Sequence, residues 1–274
     1  MFGRITPMVK NLLIINAAVY FLAEYILPGV TNYGALRYIN STYFLPFQIV
    51  TYMFLHGGFW HLFSNMFGLF IFGPLLEQVW GSKRFLVYYM ACGIGAGVLY
   101  AGSGGLETLY VKNSLQHYQK IEHPTTADFT DVINVLERHA DKYLRIGALR
   151  DFKYEYAEQG GGSQFEAQSK QLVYQISEAY SNARDQFLLV GASGAIFGII
   201  LAFGLLFPDM QLMLLFPPIP IKAKYLVMFY GAYEFLSGVS QRPGDNVAHF
   251  AHIAGMLVGY LILRQWKKQH GNFY

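Results

Sequence analysis

Gly191-Ala192-Ser193-Gly194-Ala195-Ile196-Phe197-Gly198 opens one long uncharged apolar run, and Ala251-His252-Ile253-Ala254-Gly255-Met256-Leu257-Val258-Gly259 sits inside another. Each stretch sets a reactive side chain, the Ser193 hydroxyl or the His252 imidazole, a few residues inside a run of membrane length. Small residues flank both, and small residues let membrane helices touch. Polar groups in a bilayer are costly, so a hydroxyl and an imidazole kept there point to chemistry performed within the membrane.

Composition supports that setting. The chain is 54% hydrophobic, 17% aromatic and 14% charged, whereas a soluble protein carries about 25% charged residues. A net charge of +3 without any basic cluster argues against nucleic acid as a partner. Cys92 is the one cysteine, so neither a disulfide framework nor a cysteine zinc site is expected. The first apolar run lacks a small-residue cleavage site and reads as a retained helix.

Six runs approach the roughly 20 residues that cross about 30 Å of hydrocarbon. They are 10–28, 58–77, 84–102, 188–207, 222–240 and 247–264. Glu24 and Glu234 lie near the ends of the first and fifth runs, and each reads as a side chain reaching toward headgroups. For Glu234, the bundle interior is the alternative. With a cytoplasmic N-terminus, the inner segments hold Arg4, Lys10, Lys83, Arg84, Lys222, Lys224, Arg264, Lys267 and Lys268, and the short outer loops hold Arg37 and Arg242. Nine against two fits the positive-inside bias. Both termini are then cytoplasmic.

In that topology the second, fourth and sixth spans all run inward. His61, Ser193 and His252 fall three to five residues past their starts, which is roughly 5–8 Å below the outer surface. Asn65 lies one turn deeper than His61 on the same face. Gly194, Gly198 and Ala202 form a small-residue ridge on the fourth span, and Gly255 and Gly259 form one on the sixth. Such ridges bring helices close enough for a Ser–His hydrogen bond of about 2.6–3.2 Å.

These motifs resemble the rhomboid family of intramembrane serine proteases, and the resemblance covers all six spans. Gly-x-Ser-Gly is met by Gly191, Ser193 and Gly194; Ala-His-x-x-Gly-x-x-x-Gly by Ala251, His252, Gly255 and Gly259; His-x-x-x-Asn by His61 and Asn65. Each is short, but three in order on the right helices are specific. The resemblance implies an all-α membrane protein, a six-transmembrane-helix bundle. Ser193 would be the nucleophile and His252 the general base of a dyad without a carboxylate. His61, Asn65 and the Ser193 N–H would stabilise the oxyanion, and Phe197 would stack on the base. His252 is preferred to His249 because Ala251 and Gly255 flank it as in the family motif. His249 and His56 read as interfacial polar residues.

The chain departs from the family in two places. The first outer loop, 29–57, has no Trp-Arg pair; it offers Arg37 with Tyr43, Phe44, Phe47 and Tyr52. Between the third and fourth spans, residues 103–187 carry nine basic and twelve acidic side chains and read as a soluble, mainly helical insert. The expected organisation is thus 1–102 for helices 1–3, 103–187 for the insert and 188–274 for helices 4–6. Within the insert, 128–146 reads as an amphipathic helix, with Phe129, Val132, Val135, Leu136, Tyr143 and Leu144 near one face and Thr125 or Thr126 as its cap. Gly160, Gly161 and Gly162 break the pattern, and 164–186 resumes helical character, continuing toward the fourth span. The insert reads either as a lid or docking element or as an extramembrane decoration.

The implied partners are the lipid bilayer and membrane-embedded protein substrates, cut near the outer face with small residues before the cut. The implied location is a bacterial plasma (inner) membrane, since no transit-type presequence is evident, with the site open to the outer side. No cofactor or metal is expected. Two alternatives stand beside this reading. One is a catalytically silent relative that binds membrane helices. The other is a bundle in which His56, His61, His249 and His252 ligate a metal or haem, against which no carboxylate lies near them in the spans and no His-Glu-x-x-His occurs.

Overall fold

A computed structural model describes residues 5–140, 144, 147–157, 162–213, 218–240 and 247–270. Arg4, Arg242, Tyr143, Gly160 and Gly161 fall outside the described residues, as do 145 and 146 at the end of the expected amphipathic helix. The described part is almost wholly helical: α1 (Pro7–Phe21), α2 (Val30–Gly34), α3 (Gln48–Thr51), α4 (Phe59–Lys120), α5 (Thr126–His139), α6 (Gly147–Ala157), α7 (Ser163–Asp185), α8 (Ser193–Leu206), α9 (Ala223–Ser240) and α10 (His249–His270). A short antiparallel pair, β1 (Gln211–Met213) and β2 (Pro220–Lys222), joins α8 to α9.

The chain divides into two compact units. One comprises Met1–Leu36, Leu45–Tyr100 and Leu188–Tyr274, and the other Arg37–Phe44 and Ala101–Phe187. In the first unit, α8 is the core helix. Its apolar sequence contains no charge, and Ala195, Ile199 and Ala202 are fully buried. A helix apolar all round must be enclosed all round. Ile196 faces Gly68 of α4, Phe203 packs edge-on against Phe72, and Val227 of α9 sits against Gly204. The outer helices instead expose large apolar side chains, including Trp60 on α4 and Met228, Phe229 and Leu236 on α9. Exposed apolar surface on this scale marks a lipid or protein partner.

Among the described residues, two helical stretches, Pro7–Ile26 and Phe59–Lys120, are long and apolar enough to cross a bilayer, and Ser193–Leu206 is apolar but shorter. The runs expected at 222–240 and 247–264 correspond to α9 and α10. The runs at 58–77 and 84–102 lie on α4, whose two legs are separated by Gly81 at φ 76°. At that φ glycine is the residue without a steric penalty. Glu77, just before this turn, caps α1: its carboxylate accepts from the backbone N–H groups of Met8 and Val9, both at 2.9 Å, and from the Thr6 hydroxyl.

The second unit has its own core. Val111, Leu115 and Tyr118 on α4, Phe129, Val132, Ile133 and Leu136 on α5, Leu149 on α6, and Phe165, Val173 and Tyr180 on α7 are all buried. Arg184 is 2% exposed and donates to Glu107 and Thr108. The amphipathic helix ends at His139 rather than at 146, and α7 stops at Asp185, seven residues before α8, instead of running into it. Thr125 is the cap of α5, in a reciprocal capping box with Asp128.

The Thr125 hydroxyl and N–H hold the Asp128 carboxyl below its ordinary value of 3.8. A depressed carboxylate contributes stability that is complete above the unfolded value and is lost as pH falls through the folded one. Thr125→Ala should therefore destabilise α5 by about 1 kcal/mol. Hydrogen exchange will report it as faster exchange at the first turn of α5 at neutral pH, and the difference from wild type should shrink once the pH drops below 3.8.

Candidate active site

The segment 187–192 approaches α8 as non-helical chain, with Leu189 in a β-bridge to Leu36. Leu36 and Leu189 exchange backbone hydrogen bonds of 2.9 and 2.8 Å, and Gly191 N–H donates to the Tyr52 carbonyl at 2.9 Å. Gly191 then turns with φ 118°, and a Cβ there would lie 2.6 Å from His61 Nε2. Both facts require glycine at 191. Ser193 follows as the first residue of α8, not several residues inside a helix as the sequence implied.

Ser193 Oγ and His252 Nε2 are 2.8 Å apart. The Phe197 ring, one turn after Ser193, stacks on the His252 ring at 4.3 Å between centroids and 10° between planes. Two glycines create the contact. A Cβ on Gly255 would collide with the backbone of Gly194, and one on Gly194 would lie 2.6 Å from the Ala96 methyl. The other ridge glycines face α4 instead: Gly198 lies against Cys92, and Gly259 against Tyr88, whose hydroxyl donates to the Gly198 carbonyl at 2.9 Å.

His61 and Asn65 flank Gly191 on the remaining side, with Asn65 Nδ2 3.7 Å from a Cβ position there. Gly57 N–H donates to His61 Nδ1 at 3.3 Å. That bond requires a lone pair on Nδ1, so the neutral ring carries its proton on Nε2, the atom facing Gly191. Asn65 Nδ2 donates to the His61 carbonyl at 3.0 Å, and an amide nitrogen has a second N–H to offer. The Ser193 N–H opens a helix, where the first turn's donors have no acceptor within the helix. These donors gather around Gly191, two residues before Ser193.

Four expectations are overturned. Glu234 does not reach for headgroups: it is 5% exposed, and its Oε2 lies 2.8 Å from His252 Nδ1 and 2.6 Å from His249 Nδ1. A carboxylate therefore attends the histidines, contrary to the expectation of a bare dyad. His249 is buried beside it rather than interfacial. His56 is buried too, its ring 5.2 Å from that of His61. Tyr52, which precedes α4, is also buried at 2% exposed and donates to the Gly93 carbonyl at 2.6 Å. Glu24 remains exposed near the end of its run.

The donor atoms of Glu234, His249 and His252 lie within 4.8 Å of one another and form a candidate metal cluster. A tetrahedral zinc ion with bonds of about 2.0–2.1 Å keeps its ligand atoms roughly 3.3 Å apart. Contacts of 2.6 and 2.8 Å are shorter than that spacing and are the lengths of hydrogen bonds.

With the geometry in place, comparison decides the family. The rhomboid-domain profile matches residues 45–111 and 167–266, more than half of the chain. The chain belongs to the rhomboid family. The matched ranges contain His61, Asn65, Ser193, Glu234 and His252, and the unmatched stretch between them falls within the second unit. Relatives include the candidate rhomboid protease YdcA of Bacillus subtilis (strain 168), 32% identical over 102 residues, which are 34% of this chain and 48% of that protein. From Arabidopsis thaliana come the mitochondrial RHOMBOID-like protein 6 (43% identical over 54 residues, 20% of this chain and 18% of that protein) and the chloroplastic Rhomboid-like protein 11 (33% over 93 residues, 32% and 30%). The alignments thus span less than half the length of each relative. No solved structure matches. Rhomboids are membrane proteins, in keeping with the apolar exterior of the first unit.

Gly255→Val should force α8 and α10 apart. Overpacking of this kind costs about 1–3 kcal/mol or more. A lowered melting temperature in detergent is the expected result; an unchanged one would mean that the Gly194–Gly255 approach is not limiting.

Proposed function

We propose that this rhomboid is an intramembrane serine endopeptidase in which Ser193 is the nucleophile and His252 the general base. One observation carries the reading: Ser193 Oγ sits 2.8 Å from His252 Nε2 at the start of a buried apolar helix. The Ser193 hydroxyl attacks a peptide carbonyl while His252 Nε2 takes its proton, giving a tetrahedral intermediate. The new oxyanion accepts from the Ser193 N–H, His61 Nε2–H and the Asn65 amide, aided by the positive end of α8. His252 then returns the proton to the leaving amine. Water, deprotonated by the same nitrogen, hydrolyses the acyl-enzyme and frees Ser193. Phe197 holds the imidazole plane throughout.

In this proposal the first unit crosses the membrane six times with both termini cytoplasmic, in a bacterial plasma membrane. The length of α8 supports a recessed site. Its 14 residues extend about 21 Å, against about 30 Å of hydrocarbon. With the far end of α8 at the inner boundary, Ser193 lies about 9 Å below the outer one. Non-helical backbone at that depth needs protein or water around it, and 187–192 has both its bridge to Leu36 and its bond to Tyr52. Arg84 lies over the Trp266 ring at 5.1 Å, grouping a cation and an interfacial aromatic at the proposed cytoplasmic end. A substrate reaching Ser193 from the outer side would be a transmembrane segment unwound near its outer end.

Cleavage of a single-span reporter in liposomes tests the proposal. Ser193→Ala and His252→Ala should each lower kcat by at least about 10³-fold. His61→Ala and Asn65→Ala should each cost about 10²–10³-fold. Equal cleavage by wild type and Ser193→Ala would refute the nucleophile. A wild type that binds the reporter without cutting it would make the chain a silent relative.

A further inference from the structure

We propose that Glu234 is a positioning acid for the Ser193–His252 pair, completing a Ser–His–Glu chain in which His249 is the second anchor of the carboxylate. This rests on the protease reading above and adds to it a residue from a third helix, α9. Glu234 accepts from both imidazoles through one oxygen, Oε2, at 2.6 and 2.8 Å. An ionised carboxylate has no proton to give, so each of these bonds needs a proton on Nδ1. For His252 this fixes the tautomer: Nδ1 carries the proton, and the Nε2 lone pair is left facing Ser193 Oγ. The reversed tautomer would set a lone pair against the carboxylate and a proton against the hydroxyl, and could not accept the Ser193 proton.

The same contact acts when the proton moves. His252 becomes an imidazolium where it is 8% exposed, and a buried charge without a partner is strongly disfavoured. Glu234 is already there as counter-charge, so its attraction is larger in the transition state than in the ground state. His249, three residues before His252 on α10, adds a second N–H that holds the carboxylate. Gly238, one turn after Glu234 on α9, permits the approach: a Cβ there would lie 3.3 Å from both the His249 Cβ and the Phe250 ring. The titratable groups around this cluster are Tyr230 and Tyr233 on α9, His249 on α10, and His61 on α4 with His56 beside it.

Kinetics of Glu234→Gln against wild type test the proposal, with Ser193→Ala as the inactive reference. The expected result is a kcat lower by about 10²–10⁴-fold, KM within threefold, and an acidic limb of the rate–pH profile moved to lower pH. Glu234→Asp should recover part of kcat. Unchanged kcat and pH limb in Glu234→Gln, with Ser193→Ala inactive, would overturn the positioning role and leave the protease reading standing. Equal activity of Ser193→Ala and wild type would remove both. A purely structural role would lower the amount of folded protein without moving the pH limb. Should Glu234→Gln fail to fold, ¹⁵N-histidine spectra of the wild type, assigned with His252→Asn, decide: a protonated Nδ1 and bare Nε2 on His252 support the chain, and a protonated Nε2 overturns it.

Discussion

The backbone of α8 and the backbone of α10 meet at Gly194 and Gly255, where no Cβ intervenes. Everything reactive in this molecule depends on that approach. Helices carrying ordinary side chains sit 8–10 Å apart, and a serine and a histidine on such helices reach each other with difficulty. Here the glycines remove the separation, and Phe197 fills the face of the imidazole that the approach leaves open. Gly238 plays the same part between α9 and α10, bringing Glu234 onto the ring's other nitrogen. Tight glycine contacts thus convert an apolar bundle into a scaffold for three polar side chains.

Those polar side chains are tolerable in such surroundings because they satisfy one another. Ser193, His252, Glu234 and His249 form one continuous hydrogen-bonded chain from the start of α8 to α9. Removing any member leaves the next buried and unpaired, which costs more than the bond itself contributes. His61 and Asn65 are tied to backbone groups of their own segment in the same way. The second unit follows different rules: an ordinary apolar core, a capping box at Thr125 and a buried Arg184 paired with Glu107.

Much of this was legible in the sequence. Ser193, His252, His61 and Asn65 announce themselves as polar residues in apolar runs beside glycines, and Gly191 by standing two residues before the serine. A threonine cap was readable as Thr125 or Thr126; the choice of Thr125 comes from its capping box with Asp128. The interior place of Glu234 was readable only as the alternative, and its partners were not readable at all. Glu234 sits near the end of its run with no partner within a helical turn on α9, so local rules assign it to the headgroup layer; its partners come from α10, 15 and 18 residues on. His249 was misread for the same reason. The late start of α8 escaped because Phe187 to Ala192 is as apolar as the helix it precedes, and hydropathy does not distinguish non-helical from helical backbone. The β1–β2 pair is too short to leave a periodic signal.

Mass-spectrometric mapping of a fluorophosphonate adduct on the active protein addresses the central contact most directly. A phosphonate reacts with a hydroxyl only where a base removes its proton and donors receive the developing oxyanion. One modified residue is expected, Ser193, with labelling abolished by His252→Ala. Modification of a different residue in protein that cleaves its reporter, or labelling of Ser193 undiminished by His252→Ala, would contradict the Ser193–His252 pairing.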